Sequence, residues 1–285
     1  MVRRGETMNA LTPDECFALG ELPVERWRGA EREACTDYIA AEVPVALEFN
    51  GVAHAVMLAT PTDLADFALG FSLSEGIVAR ADEIYDCEVE EGEAGMRVAL
   101  AISAERFAAL KERRRNLAGR TGCGLCGVEI LAQVRRDLPP VAAAFRVSAD
   151  TLHGAFALLQ ARQRLQQATG STHAAAWMGA DGGIMCLRED VGRHNALDKL
   201  IGALARAGTD FGDGTLLLTS RASSEMVQKA AAAGMGLVAA VSGTTTMAVD
   251  IAQSLNLTLA GFVRPGSHVV YSHPWRLIHC NDEEM

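Results

Sequence analysis

The chain has 285 residues, 49% of them hydrophobic and only 8 of them proline, with a formal net charge of −10 at pH 7. That length and apolar content hold one large core or two modest domains and exclude a disordered chain. The acidic balance excludes a general nucleic-acid binder, because only Lys111 to Arg115 offers a basic run.

Residues 1–36 are polar and read as a flexible, irregular lead-in. Met1 to Glu15 has two arginines but no apolar core of an export signal, so a cytoplasmic location is expected. Val43 to Phe49 and Val52 to Leu58 flank Asn50-Gly51, the signature of a tight hairpin. Thr60-Pro61 reads as a helix cap and first helical residue, with Leu64, Phe67, Ala68 and Phe71 on one face of the helix that follows. Met96, Val98, Leu100 and Ile102 alternate as a strand, and Ser103 opens a helix ending in Lys111 to Arg115. Residues 37–118 therefore predict a small, mixed α+β unit. A glycine-rich loop and linker follow at 119–140, closing at Pro139-Pro140, a strong breaker and a candidate domain junction.

Beyond it, residues 141–285 predict a larger α/β domain. Its elements are a helix from Asp150 to Gln167, a hairpin turning at Asp181-Gly182-Gly183, and a helix from Asn195 to Ala207. Three apolar strands follow, Thr215 to Thr219, Leu237 to Val241 and Thr258 to Val263, separated by helices Ser224 to Ala233 and Thr246 to Leu255. Strands with no polar alternation belong to a sheet covered on both faces. Ala230 to Val249 carries no charge over twenty residues. Its three glycines and its Ser/Thr cluster make it helix end, strand and helix start rather than a membrane span.

Chemistry concentrates first at Arg120-Thr121-Gly122-Cys123-Gly124-Leu125-Cys126-Gly127. The two thiols sit among glycines, outside any hydrophobic run, and Arg120 favours a thiolate. Seven cysteines, an odd number without an export signal, argue against disulfide scaffolding. A CxxC serves as a redox pair, as half of a zinc site or as a nucleophile with a neighbouring thiol. No second CxxC completes a zinc site, so no metal is assigned, and a mobile nucleophilic loop suits the glycines best.

The second cluster is Arg188-Glu189-Asp190-Val191-Gly192-Arg193-His194-Asn195, at a strand's carboxyl end, where open α/β sheets place ligands. Asp190, His194 and Asp198 share one helix face if the helix already runs through Asp190, and Arg188 or Arg193 offers a phosphate clamp. His173 follows a hydroxyl-rich turn. Ser220-Arg221 and Ser242 to Thr246 each join a strand to a helix, where free N–H groups suit an anion. Phe262 to Ser267 leaves the last strand through a Pro-Gly turn, offering an aromatic ring and a guanidinium. Together these turns favour a pocket for an anionic, oxygen-rich ligand.

Taken in order, RTGCGLCG (Arg120 to Gly127), THAAAW (Thr172 to Trp177), EDVGRHNALDKLIG (Glu189 to Gly202), SRASSEMVQKA (Ser220 to Ala230) and NLTLAGFVRPG (Asn256 to Gly266) resemble the FdhD family of formate dehydrogenase accessory sulfurtransferases. The resemblance extends from Tyr38 to Leu277. It departs at Ser171 and Ser220, where many relatives carry glycine, and at Gly243-Thr244, where many carry Ala-Pro. It implies a C-terminal domain of cytidine-deaminase-like three-layer topology, without deaminase activity since the H-x-E…P-C-x-x-C zinc signature is absent. It also implies a homodimer. The implied task is sulfur transfer: a cysteine desulfurase loads a persulfide on Cys123, with Cys126 assisting. The sulfur then passes to the molybdenum or tungsten bis-pyranopterin guanine dinucleotide (Mo-bis-molybdopterin guanine dinucleotide) before that cofactor enters formate dehydrogenase. Phe262, Val263, Arg264, Pro265, Gly266 and Ser267 would bind the cofactor, with His173, Arg193, His194, Ser220 and Arg221 as the nearby polar groups. No nucleic acid and no membrane enters this scheme. Two alternatives stay open: a chaperone of the cofactor that moves no sulfur, and a CxxC thiol–disulfide oxidoreductase.

Overall fold

The computed structural model describes residues 12–118 and 135–279. Thr12 and Glu15 form a capping box on the short helix α1 (Pro13–Phe17). Strands β1 (Leu19–Arg28) and β2 (Glu31–Ala40) then pair antiparallel over their whole length. This ribbon replaces the irregular lead-in expected from the sequence. Charged residues interrupt its apolar ones on a ribbon largely open to solvent, so no hydrophobic run announces it. Cross-strand charge pairs such as Arg32 with Glu25 and Arg26 with Asp37 accompany the pairing.

The expected hairpin forms as β3 (Val43–Phe49) and β4 (Val52–Ala59), and Asn50 and Gly51 both have positive φ (48° and 77°), the two-residue turn that matches strand twist. Helix α2 (Leu64–Ser74) starts later than Thr60-Pro61 suggests, with Asp63 as its first flanking residue. Thr60 is instead held by residues of the larger domain, as described below. Strand β5 (Ile84–Gly92), not foreseen because its face is dominated by charge, joins β6 (Gly95–Ile102) in a four-stranded sheet of order β4-β3-β6-β5. Val45, Leu47, Phe49, Val98 and Leu100 from the sheet pack on Phe67 and Phe71 of α2. Helix α3 (Ala104–Ala118) is capped by Ser103, whose Oγ accepts from the Arg106 N–H at 3.1 Å.

In the larger region, β7 (Val147–Ser148) leads into α4 (Ala149–Arg162) and α5 (Arg164–Thr169). The single helix expected over Asp150 to Gln167 is interrupted at Gln163, whose ψ of 82° is not helical. The remaining elements are β8 (His173–Met178), β9 (Ile184–Asp190), α6 (Arg193–Arg206), β10 (Thr215–Leu218), α7 (Ser224–Ala232), β11 (Leu237–Ala240), α8 (Thr246–Ser254), β12 (Thr258–Arg264), β13 (Ser267–Ser272) and β14 (Leu277–Ile278). The six-stranded sheet has the order β13-β12-β11-β10-β8-β9, with β10, β11 and β12 parallel. Alternate residues feed two cores. Ala175, Trp177, Leu216, Leu218, Val238 and Ala240 meet α6, α7 and α8, whereas Ala174, Ala176, Met178, Leu217 and Ala239 meet α4. Helices thus cover both faces, which is why the strands lack polar alternation. The uncharged stretch from Ala230 resolves into the end of α7, β11 and the start of α8. Among the described residues no helix is long and apolar enough to cross a membrane.

The two regions meet where α2 crosses α6. A Cβ built on Gly70 would fall 1.7 Å from the Asp198 carbonyl oxygen, and one on Gly202 would fall 1.9 Å from that of Asp66. Backbones this close admit no side chain at either position, the service glycine gives in a helix despite its entropic cost.

Candidate functional site

Chain direction decides which motifs come together. Strand β8 runs antiparallel to β10, and β9 antiparallel to β8. The start of β8 (His173), the end of β9 (Asp190) and the carboxyl ends of β10, β11 and β12 therefore share one edge of the sheet. All the turns singled out in the larger region emerge there, along the carboxyl edge of the parallel strands.

Most of the Glu189 to Gly202 motif turns inward. Glu189 is buried and accepts from the N–H groups of Leu165 and Gln166 (3.0 and 2.9 Å) and from Thr172 Oγ1 (3.0 Å), which caps α5. Burial pushes its carboxyl up, against those hydrogen bonds. Asp190 and Lys199 form a fully buried ion pair at 2.7 Å. Asp190 also accepts from the Thr60 N–H at 3.0 Å, and Lys199 donates to the Thr60 carbonyl at 2.9 Å. Asn195 bridges Asp190 and the Leu58 carbonyl, at 3.0 and 2.8 Å. The pair thus clamps the β4–α2 connection onto the larger domain. Asp198, one helical turn on, holds Lys229 Nζ at 2.9 Å, which also reaches Ser74 Oγ (2.9 Å) and Glu75 Oε1 (2.8 Å). Burial presses the Lys229 ammonium down, but Asp198 and Glu75 outweigh it and the net direction is up.

The expectation that Asp190, His194 and Asp198 share a helix face fails. Helix α6 begins only at Arg193, with Gly192 as its N-cap, so Asp190 belongs to a strand. Arg188 is likewise no phosphate clamp, because Asp63 and Asp66 hold it at 3.3 and 2.8 Å. What stays at the edge is Arg193 and His194. Among the described residues neither Arg193 nor Arg221 has a carboxylate partner, and Arg193 Nε is buried without an acceptor. Burial lowers the proton affinity of His173, and the charge of Arg193 lowers it further. The same two causes, in the same order, act on His194, partly opposed by Glu225, whose Oε2 lies 2.8 Å from His194 Nε2.

Along the same edge, Ser220 is buried and its hydroxyl donates to the Arg221 carbonyl at 3.1 Å. Phe262 has a left-handed φ of 51° in a bulged stretch of β12 and stays half exposed, and its N–H donates to the Ser242 carbonyl at 3.1 Å. Its ring lies against Gly243, where a Cβ would come within 2.8 Å of Cζ. Arg264 Nη1 donates to the carbonyls of Val241 and Val263, at 2.6 and 2.8 Å.

These residues share an edge but not one cavity. Val263, Arg264 and Pro265 wall a cavity of about 340 Å³ against His153, Phe156 and Gln160 of α4. Gly266 and Ser267, across the turn, line another of about 640 Å³ with Ser148, Asp150 and His268. His194 opens instead on a third, of about 450 Å³, with Arg113, Arg136, Glu225 and Lys229. Cys123 and Cys126 lie outside the described residues. Arg113, before them in the chain, and Arg136, after them, both line the third cavity. Arg113 donates to the Glu75 carbonyl at 2.9 Å, the Arg136 N–H donates to Gln228 Oε1 at 2.7 Å, and the Arg136 guanidinium donates to the Ser74 carbonyl. Sequence reasoning missed Ser74, Glu75 and Lys229 here. Glycines inside two otherwise helical runs, at 70 and 202, were the available hint that helices meet this closely. Among the described residues no group of three or more His, Cys, Asp or Glu is placed to hold a metal ion.

A profile of the FdhD/NarQ family matches residues 40–278. A relative from Cupriavidus necator named sulfur carrier protein FdhD is 60% identical over 256 residues, covering 90% of this chain and 89% of its own. A second, of the same name, from Variovorax paradoxus is 54% identical, with 90% and 92% covered. Among solved structures, a protein from Desulfotalea psychrophila described as a proposed formate dehydrogenase accessory protein superposes with a TM-score of 0.71. It is 21% identical and covers 92% of this chain and all of its own, which shows a shared fold.

Proposed function

The chain belongs to the FdhD/NarQ family, and on that premise we propose that it is a sulfurtransferase working through a cysteine persulfide. A cysteine desulfurase supplies the sulfur, and Cys123 takes it. The Cys123 thiolate attacks the outer sulfur of the donor persulfide, a new S–S bond forms, and the donor cysteine leaves as thiolate. No net oxidation occurs in that exchange. The recipient is the molybdenum or tungsten bis-pyranopterin guanine dinucleotide, handled here as substrate on its way to formate dehydrogenase. Cys126 is the second thiol. Its attack on Cys123 Sγ would form the Cys123–Cys126 disulfide and release the outer sulfur as hydrosulfide, leaving a disulfide for an external thiol to reduce.

The observation that carries the binding half of this reading is the shared carboxyl edge. Arg193 and Arg221, without carboxylate partners among the described residues, the buried Ser220 hydroxyl and the half-exposed Phe262 ring all lie along it. Guanidinium groups suit the phosphates of the dinucleotide arms, and an aromatic face suits a planar base. Support for linking the two halves comes from Arg113 and Arg136, which tie both ends of the thiol-bearing segment to the cavity that His194 lines. We further read the sheet order β9-β8-β10-β11-β12, with helices on both faces, as the cytidine-deaminase-like topology, and the working unit as a homodimer.

The test is intact-mass analysis after incubation with a cysteine desulfurase and cysteine. A cyanide-labile adduct of one sulfur atom is expected on the protein and is expected to vanish in Cys123→Ala, while binding of guanosine diphosphate persists. No adduct on the unsubstituted protein would favour a cofactor chaperone. Reversible Cys123–Cys126 disulfide turnover without any adduct would favour an oxidoreductase.

A further inference from the structure

Three of the chain's seven histidines meet where the proposed sulfur route does not require them. His153 stands on α4, His268 on β13 and His279 directly after β14. His153 Nε2 lies 2.9 Å from His268 Nδ1, and His268 Nε2 lies 3.2 Å from His279 Nε2. The rings of His268 and His279 are stacked, with centroids 5.2 Å apart and planes 16° from parallel. Because the two contacts use opposite nitrogens of His268, the rings form a chain rather than a claw around one point.

Each contact sets nitrogen against nitrogen and so needs one proton between them. With all three rings neutral, either of two directional sets of tautomers supplies both. With one positive charge, on any of the three rings, both contacts can still be made, each with one proton between its nitrogens. A second charge has no such solution: in one contact N–H must face N–H. That proton breaks a hydrogen bond and adds like-charge repulsion.

We propose that His153, His268 and His279 form a proton-counting latch, which holds the β12–β13 turn and His279 against α4 while the three rings carry at most one extra proton, and which opens when a second binds. Strand β13 is an edge strand, paired on one side with β12, so its other side depends on contacts of this kind. The latch acts on a dividing wall. Pro265 faces the 340 Å³ cavity, Gly266 faces the 640 Å³ cavity, and His153 lines both. Of the charged groups nearby, α4 presents Asp150 to the larger cavity, and the turn residues there, Gly266 and Ser267, carry no charge. Arg264 of that turn is engaged by the Val241 and Val263 carbonyls. Burial, then the two flanking rings, lower the proton affinity of His268. A histidine disfavoured in this way stabilises the fold above the ordinary imidazole range and ceases to do so as pH falls through it. The latch stands on the ring contacts alone and not on what either cavity binds.

Amide hydrogen exchange on the full-length protein tests it, at about pH 7.5 and about pH 5, either side of the ordinary imidazole value near 6.5 and corrected for intrinsic exchange. Protection across 262–272 is expected to fall about tenfold at the lower pH, the scale of one lost hydrogen bond, with β8 to β11 unchanged. In His268→Phe the pH response should disappear. Where that variant loses its native circular dichroism, His279→Phe replaces it, with a reduced response expected. Constant wild-type protection, an equal fall in the variant, or a fall spread evenly over the sheet would each overturn the latch.

Discussion

Two places in the molecule draw on the same stretch of sequence and treat charge in opposite ways. At the crossing of α2 and α6, Asp190, Lys199, Asp198 and Lys229 are buried and paired at 2.7 to 2.9 Å. At the carboxyl edge, Arg193 and Arg221 stand without a carboxylate among the described residues. The difference teaches how to separate charges paired within the chain from charges left unpaired in a dense motif. Groups with all their partners inside the chain hold it together, and groups left with unanswered donors are available to something else.

Three substitutions press on that comparison, the last of them through two readouts. Lys199→Met should be the most damaging, because it leaves Asp190 buried beside only neutral donors. A loss of about 3–5 kcal/mol in urea unfolding is expected, and a loss below 1 kcal/mol would mean the clamp is not structural. Gly202→Ala should cost about 3 kcal/mol by the same measurement, since its Cβ meets the Asp66 backbone of the other helix; an unchanged midpoint would break the claim of close crossing. Arg193→Ala should leave the unfolding midpoint within about 0.5 kcal/mol while weakening guanosine diphosphate about tenfold, the worth of one charge-assisted hydrogen bond. Loss of stability with unchanged binding would move Arg193 to the structural side.

The smallest effect concerns protons. Burial first, and Arg193 second, hold His173 below its ordinary imidazole range. The unfolded chain therefore takes up the proton more readily, and this contribution to stability is present above that range and fades as pH falls through it. Arg193→Ala should raise the His173 titration midpoint without restoring its ordinary value, because burial remains. Ring-proton titration by NMR reads this directly, and a midpoint that stays put or falls would remove Arg193 from the neighbourhood.

Much of the larger domain was legible because its pattern is local. Leu216 to Leu218 and Leu237 to Ala240 are continuous apolar strands, and Asn50-Gly51 specifies its hairpin through positive φ at two adjacent residues. The β1–β2 ribbon was not legible, because it is a solvent-open antiparallel pair whose interspersed charges leave no apolar period in the chain. Nor was the start of α2, where Thr60 forgoes capping for a clamp made by Asp190 and Lys199, more than a hundred residues away.

By itself the sequence determined the kind of chemistry: a glycine-flanked pair of thiols, an alternation of buried strands and helices, and motifs that mark a family. The tertiary structure alone decided which charges are partners. It turned Asp190, Asp198 and Arg188 inward to the smaller unit, left Arg193 and Arg221 at the edge, and joined His153 to His268 and His279. The physical reason is range. Backbone preference and hydrophobic period act within a few residues, whereas an ion pair or a ring contact depends on where distant segments arrive after the core has packed.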